Sequence, residues 1–264
     1  MPTTINGIGT QYYGQKNLTK EIGTCEYCNA SAELSSYETG HYFVILFIPI
    51  IPLGRKQILD ECPYCSRHRV VSVEQWERVR EEAISASTDT LTTNMDDPGT
   101  AIEHLQTLSA FKQFEEANEL APAIEAQHKN DVDVQFFLGA WYEKYGQLEK
   151  ADQCFERAYD IDPKHLGAIR AKGIGLIQNG DLDNANEILS ALFVPSEGYD
   201  PAIFFMLGTA FQQAERHEDA MQQFEIVAQD SPEFVKEKEF KKAVKKSEKA
   251  LGRSESIVPK GWFG

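Results

Sequence analysis

From residue 98 onward, small and apolar positions recur at a fixed interval. The step from Gly139 to Gly173 is repeated from Gly146 to Gly180, from Ala117 to Ala151 and from Ala151 to Ala185. Ala220 lies one position beyond the next such step, which predicts a one-residue insertion near Pro195–Asp200. A constant period of roughly 34 residues is the mark of stacked helix–turn–helix units. It predicts about four units across 98–234, namely 98–131, 132–165, 166–200 and 201–234. The first is the most degenerate, keeping Leu105, Leu108 and Ala117. An end unit has one unpaired face, so such drift is expected there.

The N-terminal stretch, 1–70, shows another pattern. Glycines 7, 9, 14, 23, 40 and 54 interrupt short β-branched and aromatic runs. Strands are predicted at Thr10–Tyr13, Glu33–Glu38, Tyr42–Ile48 and Lys56–Asp60. The run Tyr42–Leu53 is apolar throughout, which predicts burial on both faces, as core or against the helix that follows. A partner-binding patch is the sharper alternative. The run is broken by Pro49 and Pro52 and falls short of the roughly 20 residues that a spanning helix needs. Brief contact with a membrane surface stays open.

A helix is predicted from Val73 to about Ser85, with Ser72 as N-cap and Gln75 three residues on. Val73, Trp76, Val79 and Ala83 share its apolar face. The polar stretch that follows, ending in Asp96-Asp97-Pro98-Gly99, reads as a linker. The predicted domains are a module at 1–72, a connecting helix at 73–86, a linker at 87–97 and the array at 98–234. A basic capping helix at 235–251 and a tail at 252–264 complete the chain. In the capping helix Phe234, Val235, Phe240, Val244 and Leu251 are expected to pack, leaving Lys241, Lys242, Lys245, Lys246 and Lys249 to solvent or to the acidic array.

Charge sharpens this division. Residues 1–86 carry a net −2, residues 87–232 a net −17 and residues 233–264 a net +4, within a total of −15. An acidic middle and a basic end suggest self-docking of the C-terminal segment. So acidic a surface makes nucleic acid a poor partner. The first ten residues lack a basic start and an apolar run, so a cytoplasmic, non-secreted protein is expected.

Five cysteines are present, four of them in two pairs, Cys25-x-x-Cys28 and Cys62-x-x-Cys65. Two intervening residues let a tight turn aim both sulfurs at one point, and two such turns close a tetrahedral site. Asn29 follows the first pair, where a residue tolerant of the left-handed backbone is useful. The pattern predicts one structural zinc ion, with no open position for catalysis. Free or redox-active thiols are the alternative, although a redox pair belongs at a strand-to-helix step that is not visible here. His41 and His68 lie near enough to replace a sulfur, but four cysteines already fill a closed site. Arg67, His68 and Arg69 could soften the thiolate charge. Cys154, inside a repeat helix, reads as an inert core thiol. Trp76, Trp141 and Trp262 read as packing residues.

Residues 132–165 carry Leu138, Gly139, Tyr142, Gly146, Ala151, Phe155, Ala158 and Pro163 at the spacing that resembles the tetratricopeptide consensus. Gly139 and Ala151 are small where two helices cross, and Gly146 permits the turn. The stretch 1–70 resembles a zinc-ribbon family. The shared features are Gly9-x-x-Tyr-Tyr-Gly14, the first cysteine pair, Phe47-Ile-Pro-Ile-Ile-Pro52 and the second pair. Some of its members look like fusions to tetratricopeptide arrays. The implied fold is mixed by domain: a small β-rich zinc ribbon followed by an all-α tetratricopeptide solenoid.

The tetratricopeptide resemblance also implies a groove lined by the first helix of each unit. Its positions here are Phe136, Ala140, Arg170, Ile174, Phe205 and Thr209. A groove of this mixed character suits an extended peptide or an amphipathic helix. The carboxylate-clamping subclass uses several Lys and Asn residues, and only Arg170 is available. The expected function is a non-catalytic protein–protein adaptor. A nucleic-acid-associated zinc ribbon and a thiol redox or metal-handling protein are the competing readings. No Ser/His/Asp arrangement, phosphate-cradling glycine loop or H-E-x-x-H stands out.

Overall fold

Five antiparallel strands in sequential order form an N-terminal sheet: β1 Thr4–Ile5, β2 Ile8–Thr24, β3 Ser31–Ile45, β4 Ile48–Glu61 and β5 Arg69–Ser72. They belong to a computed structural model that describes residues 2–192 and 199–258. The chain divides into two compact units, Met1–Lys129 with Trp141–Gln147, and Asn130–Ala140 with Leu148–Gly264.

The predicted strand Glu33–Glu38 and the Tyr42–Ile45 part of the predicted Tyr42–Ile48 form one strand, β3, continuous through Gly40, and Ile48 already begins β4. Gly40 is needed for side-chain room rather than for a break. A Cβ there would lie 2.5 Å from the Tyr42 ring. The meander puts both cysteine turns at one end of the sheet, in the β2–β3 and β4–β5 connections. The β1–β2 and β3–β4 turns lie at the other end.

The run Tyr42–Leu53 is not core. Val44 is fully buried, but every residue from Ile45 to Arg55 is exposed. The cause is strand length. β5 has four residues and pairs only with Lys56–Leu59, so the first half of β4 is a sheet edge. An edge also explains how Pro49 and Pro52 fit a strand, because neither can donate to a further neighbour. The two-residue β3–β4 turn places Leu46 at φ 53° and Phe47 at φ 63°. Such turns favour Asn-Gly, and a bulky residue in the left-handed region costs roughly 1–2 kcal/mol.

Helix α1 spans Val73–Thr93, and Ser72 caps it by accepting from the Gln75 amide at 3.2 Å. It runs through most of the predicted linker. The Thr88, Thr90 and Thr93 hydroxyls each donate to the carbonyl four residues back, so the polar stretch satisfies itself as helix. Ser87 Oγ also lies 2.8 Å from His104 Nδ1 on the next helix. Asp97-Pro98-Gly99 starts that helix rather than ending a linker. Asp97 accepts from the Gly99 and Thr100 amides, and Pro98 takes the first helical position.

The repeats follow as α2 Pro98–Ala110, α3 Phe114–Gln127, α4 Val132–Lys144, α5 Leu148–Ile161, α6 Leu166–Gln178, α7 Leu182–Leu189, α8 Pro201–Gln213 and α9 His217–Asp230. The first helices of successive pairs start at 98, 132, 166 and 201, which reproduces the sequence period and its late extra residue. Most of the stretch predicted to hold that insertion, residues 195–198, lies outside the described residues.

Two devices recur in every unit or nearly so. Gly139, Gly173 and Gly208 sit where a Cβ would come within 2.6 Å of Phe155, Leu189 and Phe224 respectively. A left-handed residue ends each first helix, at Lys112, Gly146, Gly180 and Glu215. The amide after it bonds back to the helix, as Gln147 does to the Tyr142 carbonyl at 2.9 Å.

Helix α10, Lys238–Ala250, closes the second unit. Phe240 and Val244 are fully buried in the core built by α6 to α9, and the short 3-10 turn before it buries Val235. Gln212 on α8 donates to the Ala243 carbonyl and to Ser247 Oγ. Lys242, Lys245, Lys246 and Lys249 are exposed and form no ion pair among the described residues. This segment therefore packs through its apolar side, with Arg253–Glu225 at 2.6 Å beside it. Of the predicted tail, Val258 is buried and the Ile257 amide donates to Glu248 Oε1. Trp262 lies outside the described residues.

Candidate metal centre and repeat groove

The two cysteine turns are built alike. In the first, the Cys25 amide bonds to the Ala30 carbonyl and the Asn29 amide to the Cys25 carbonyl, each at 2.9 Å. In the second, the Cys62 amide bonds to the Arg67 carbonyl at 3.1 Å and the Ser66 amide to the Cys62 carbonyl at 2.9 Å. Asn29 and Ser66 both have φ 56°. Each turn thus reverses through a left-handed residue four positions after its first cysteine. The expectation for Asn29 came from its residue type, whereas Ser66 offers no such signal.

The four sulfurs converge. Cys25 Sγ lies 3.7 Å from Cys65 Sγ, Cys28 Sγ lies 3.7 Å from Cys62 Sγ, and all four atoms fall within 4.8 Å of one another. A tetrahedron with metal–sulfur bonds of about 2.3 Å has edges of about 3.8 Å. The donor set therefore fits a divalent, thiophilic ion. Cys25 and Cys62 are buried, Cys65 is half-buried and Cys28 is exposed.

Ionisation of the cluster is uneven. The Tyr27 amide donates to Cys25 Sγ and pulls its pKa down to about 7. At Cys28 the Ala30 backbone favours the thiolate, but partial desolvation of this exposed sulfur and its three sulfur neighbours outweigh it and push the pKa up to about 12. Four like-charged sulfurs at this spacing need a cation to ionise together.

Neither histidine joins the cluster. His41 meets the Tyr12 ring edge-on, with centroids 5.3 Å apart, and His68 Nδ1 lies 3.2 Å from the Ser66 carbonyl oxygen. The arginines are committed elsewhere. Arg67 sits over the Tyr27 ring, and Arg69 pairs with Asp60. Asp60 belongs to a network the sequence did not disclose, in which Lys112 binds Glu21 at 2.7 Å and Asp60 at 3.5 Å. Cys154 is fully buried within the second unit.

The predicted groove positions fall as i, i+4 pairs on three first helices: Phe136 and Ala140 on α4, Arg170 and Ile174 on α6, Phe205 and Thr209 on α8. All six retain solvent exposure. Phe136 also packs against Phe155 and His165, with ring centroids 5.7 and 5.2 Å away. Phe205 lies within 5.9 Å of the Phe224, Phe234 and Phe240 rings. Both phenylalanines are thus wedged between helices while leaving part of the ring outside. Arg170 faces Asp200 at 3.9 Å.

Residues 132–165 match the tetratricopeptide repeat. The matched stretch spans helices α4 and α5. No curated protein matches the chain. Solved structures do. YrrB, described as a TPR protein with an unusual peptide-binding site, is 18% identical over 59% of this chain and 80% of its own, with a TM-score of 0.48. MamA is 17% identical over 70% of this chain and 92% of its own, with a TM-score of 0.45. A thermophilic TPR protein from Thermus thermophilus is 18% identical over 65% of this chain and 90% of its own, at 0.39. Among the described residues no helix is long and apolar enough to cross a membrane.

Proposed function

We propose that the protein is a non-catalytic adaptor. Its tetratricopeptide units hold a peptide or helix of a partner protein, and a closed zinc site formed by Cys25, Cys28, Cys62 and Cys65 is purely structural. The observation that carries the adaptor reading is the set of half-exposed i, i+4 pairs at Phe136, Arg170 and Phe205 and their companions. Apolar anchors spaced this way on successive first helices suit a peptide with one or two hydrophobic side chains. The Arg170 guanidinium lies among these positions and already faces Asp200 at 3.9 Å.

The metal reading is supported by the 3.7 Å sulfur spacings and by the matched turns. Four sulfurs leave no coordination position for water or substrate, so the ion would pin the end of the sheet rather than perform chemistry.

The test is a random-peptide display selection on the full chain, followed by titration of the winning peptide. The account expects binding that weakens at least about tenfold in Ile174→Glu and in Phe205→Ala. Selection of peptides whose affinity neither substitution changes would argue against this groove.

A further inference from the structure

We propose that the β3–β4 hairpin tip docks into the surface of a lipid bilayer, with its apolar residues among the upper acyl chains and its basic residues at the phosphates. This stands apart from the adaptor reading and uses none of its residues.

The consecutive residues Ile45 to Leu53 are all apolar and all exposed. Leu46 and Phe47 at the turn are 70% and 59% exposed. The strand register puts Ile45 opposite Ile48, and Phe43 opposite Ile51. Pro49 and Pro52 lie opposite Val44 and Tyr42, on the other face. A protein partner docking on one face would leave alternation, apolar toward the partner and polar away from it. Here neither exposed face is polar. An environment that surrounds the tip on all sides matches this pattern, and the acyl region of a bilayer is such an environment. Ile5 and Ile8, also exposed, extend the same end of the sheet, where the Phe47 amide bonds to the Gly7 carbonyl.

The backbone fits as well. The first half of β4 is an open edge, whose amides would have to leave water on insertion. Pro49 and Pro52 remove two of those donors. The same prolines oppose pairing of this edge with the edge of a second copy.

Charge is graded along the hairpin. Residues 2–20 and 39–59 hold none of the 41 acidic residues of the chain. Behind the apolar tip come Tyr13 and Tyr42, ring centroids 5.9 Å apart, and behind these Lys16, Arg55 and Lys56. Glu38, which pairs with Arg55, is the first carboxylate reached. Apolar tip, tyrosines, then cations is the order of a membrane interface. From the turn to the Tyr42–Pro52 pair is about 13 Å of strand, enough to pass the headgroups.

Finally, the turn is strained to display its side chains. Both tip residues sit in the left-handed region where Asn-Gly is favoured, yet they are Leu and Phe. Strain kept at an exposed turn points to a role for those side chains.

The test uses the full chain in flotation with phosphatidylcholine vesicles, with and without phosphatidylserine. The expected result is binding that rises with phosphatidylserine. It should fall at least about tenfold in the double variant Leu46→Asn/Phe47→Gly. That variant relieves the turn, so its thermal midpoint is expected to equal or exceed the parent's, which excludes misfolding as the cause. In Phe47→Trp, fluorescence should be quenched by brominated acyl chains more than in the parent protein. Failure of the parent to float at any composition, or equal flotation of the double variant, overturns the proposal. So does a parent that does not float but sediments as a dimer which the double variant abolishes, since that assigns the tip to a second copy.

Discussion

Lys112 Nζ in the α2–α3 turn lies 2.7 Å from Glu21 Oε1 on β2, and both side chains are largely buried. Lys112 also occupies the left-handed turn position that Gly146 and Gly180 fill in the next units, at φ 61°. One residue therefore serves the repeat geometry and ties the first repeat to the sheet. Lys112→Ala should destabilise this unit by about 1–3 kcal/mol, because it leaves Glu21 without its cation and Asp60 with Arg69 alone. Lys112→Gly removes the same cation but relieves about 1 kcal/mol of backbone strain, so it should be the milder change. Urea unfolding of the two variants measures the difference.

The same network sets an acid dependence. Burial alone would raise the Asp60 carboxyl, but the hydrogen bond from Arg69 and the charge of Lys112 outweigh it and hold it below the usual carboxylate range. A carboxyl with a depressed folded pKa contributes stability that is present above its unfolded value. That stability is lost as pH falls through the lower folded value. Asp60→Asn should therefore cost about 1–2 kcal/mol at neutral pH, after allowance for the solvent reaching Arg69. It should cost less as the solution becomes strongly acidic. Unfolding titrations across the acid range would show the two curves converging, and parallel curves would count against the network.

The repeat devices make opposite predictions at glycine and non-glycine sites. Gly139→Ala places a methyl 2.5 Å from the Phe155 ring and should lower stability by about 1–3 kcal/mol, partly offset by better helix propensity. Glu215 holds φ 59° without being glycine, so Glu215→Gly should raise stability by up to about 1 kcal/mol. Thermal unfolding of each single variant decides the sign.

The array was legible because its period is imposed by geometry. Small residues at 139, 173 and 208 must recur wherever paired helices cross, so the interval alone predicts the helix starts at 98, 132, 166 and 201. The cysteine turns were legible for a similar reason, since two-residue spacing dictates sulfur convergence. What stayed hidden depends on partners far along the chain. The exposure of Ile45–Leu53 follows from the shortness of β5, which an apolar run cannot report. The helical state of residues 87–93 depends on hydroxyls bonding back along the helix and on Ser87 meeting His104, where composition alone reads as linker. Lys112 looked like any surface lysine, because its partners Glu21 and Asp60 lie far back in the sequence, on strands of the sheet.

Metal removal should act on one end of the sheet. Ligation needs thiolates, so acidification must release the ion as protons return to the sulfurs. Cys62→Ser should abolish hydrogen-exchange protection at the Asn29 and Ser66 amides, which close the two turns. Amides in α8 and α9, in the other compact unit, should keep theirs.

Thiol counting with metal analysis on the full chain, purified without added metal, tests the central claim most directly. The account predicts one zinc per chain and no fast-reacting thiol in the native protein, since the ion would ligate the four converging sulfurs and Cys154 is buried. Chelation should then expose four reactive thiols and leave Cys154 unreactive. A metal-free protein whose Cys25, Cys28, Cys62 and Cys65 react freely while the fold persists would contradict it.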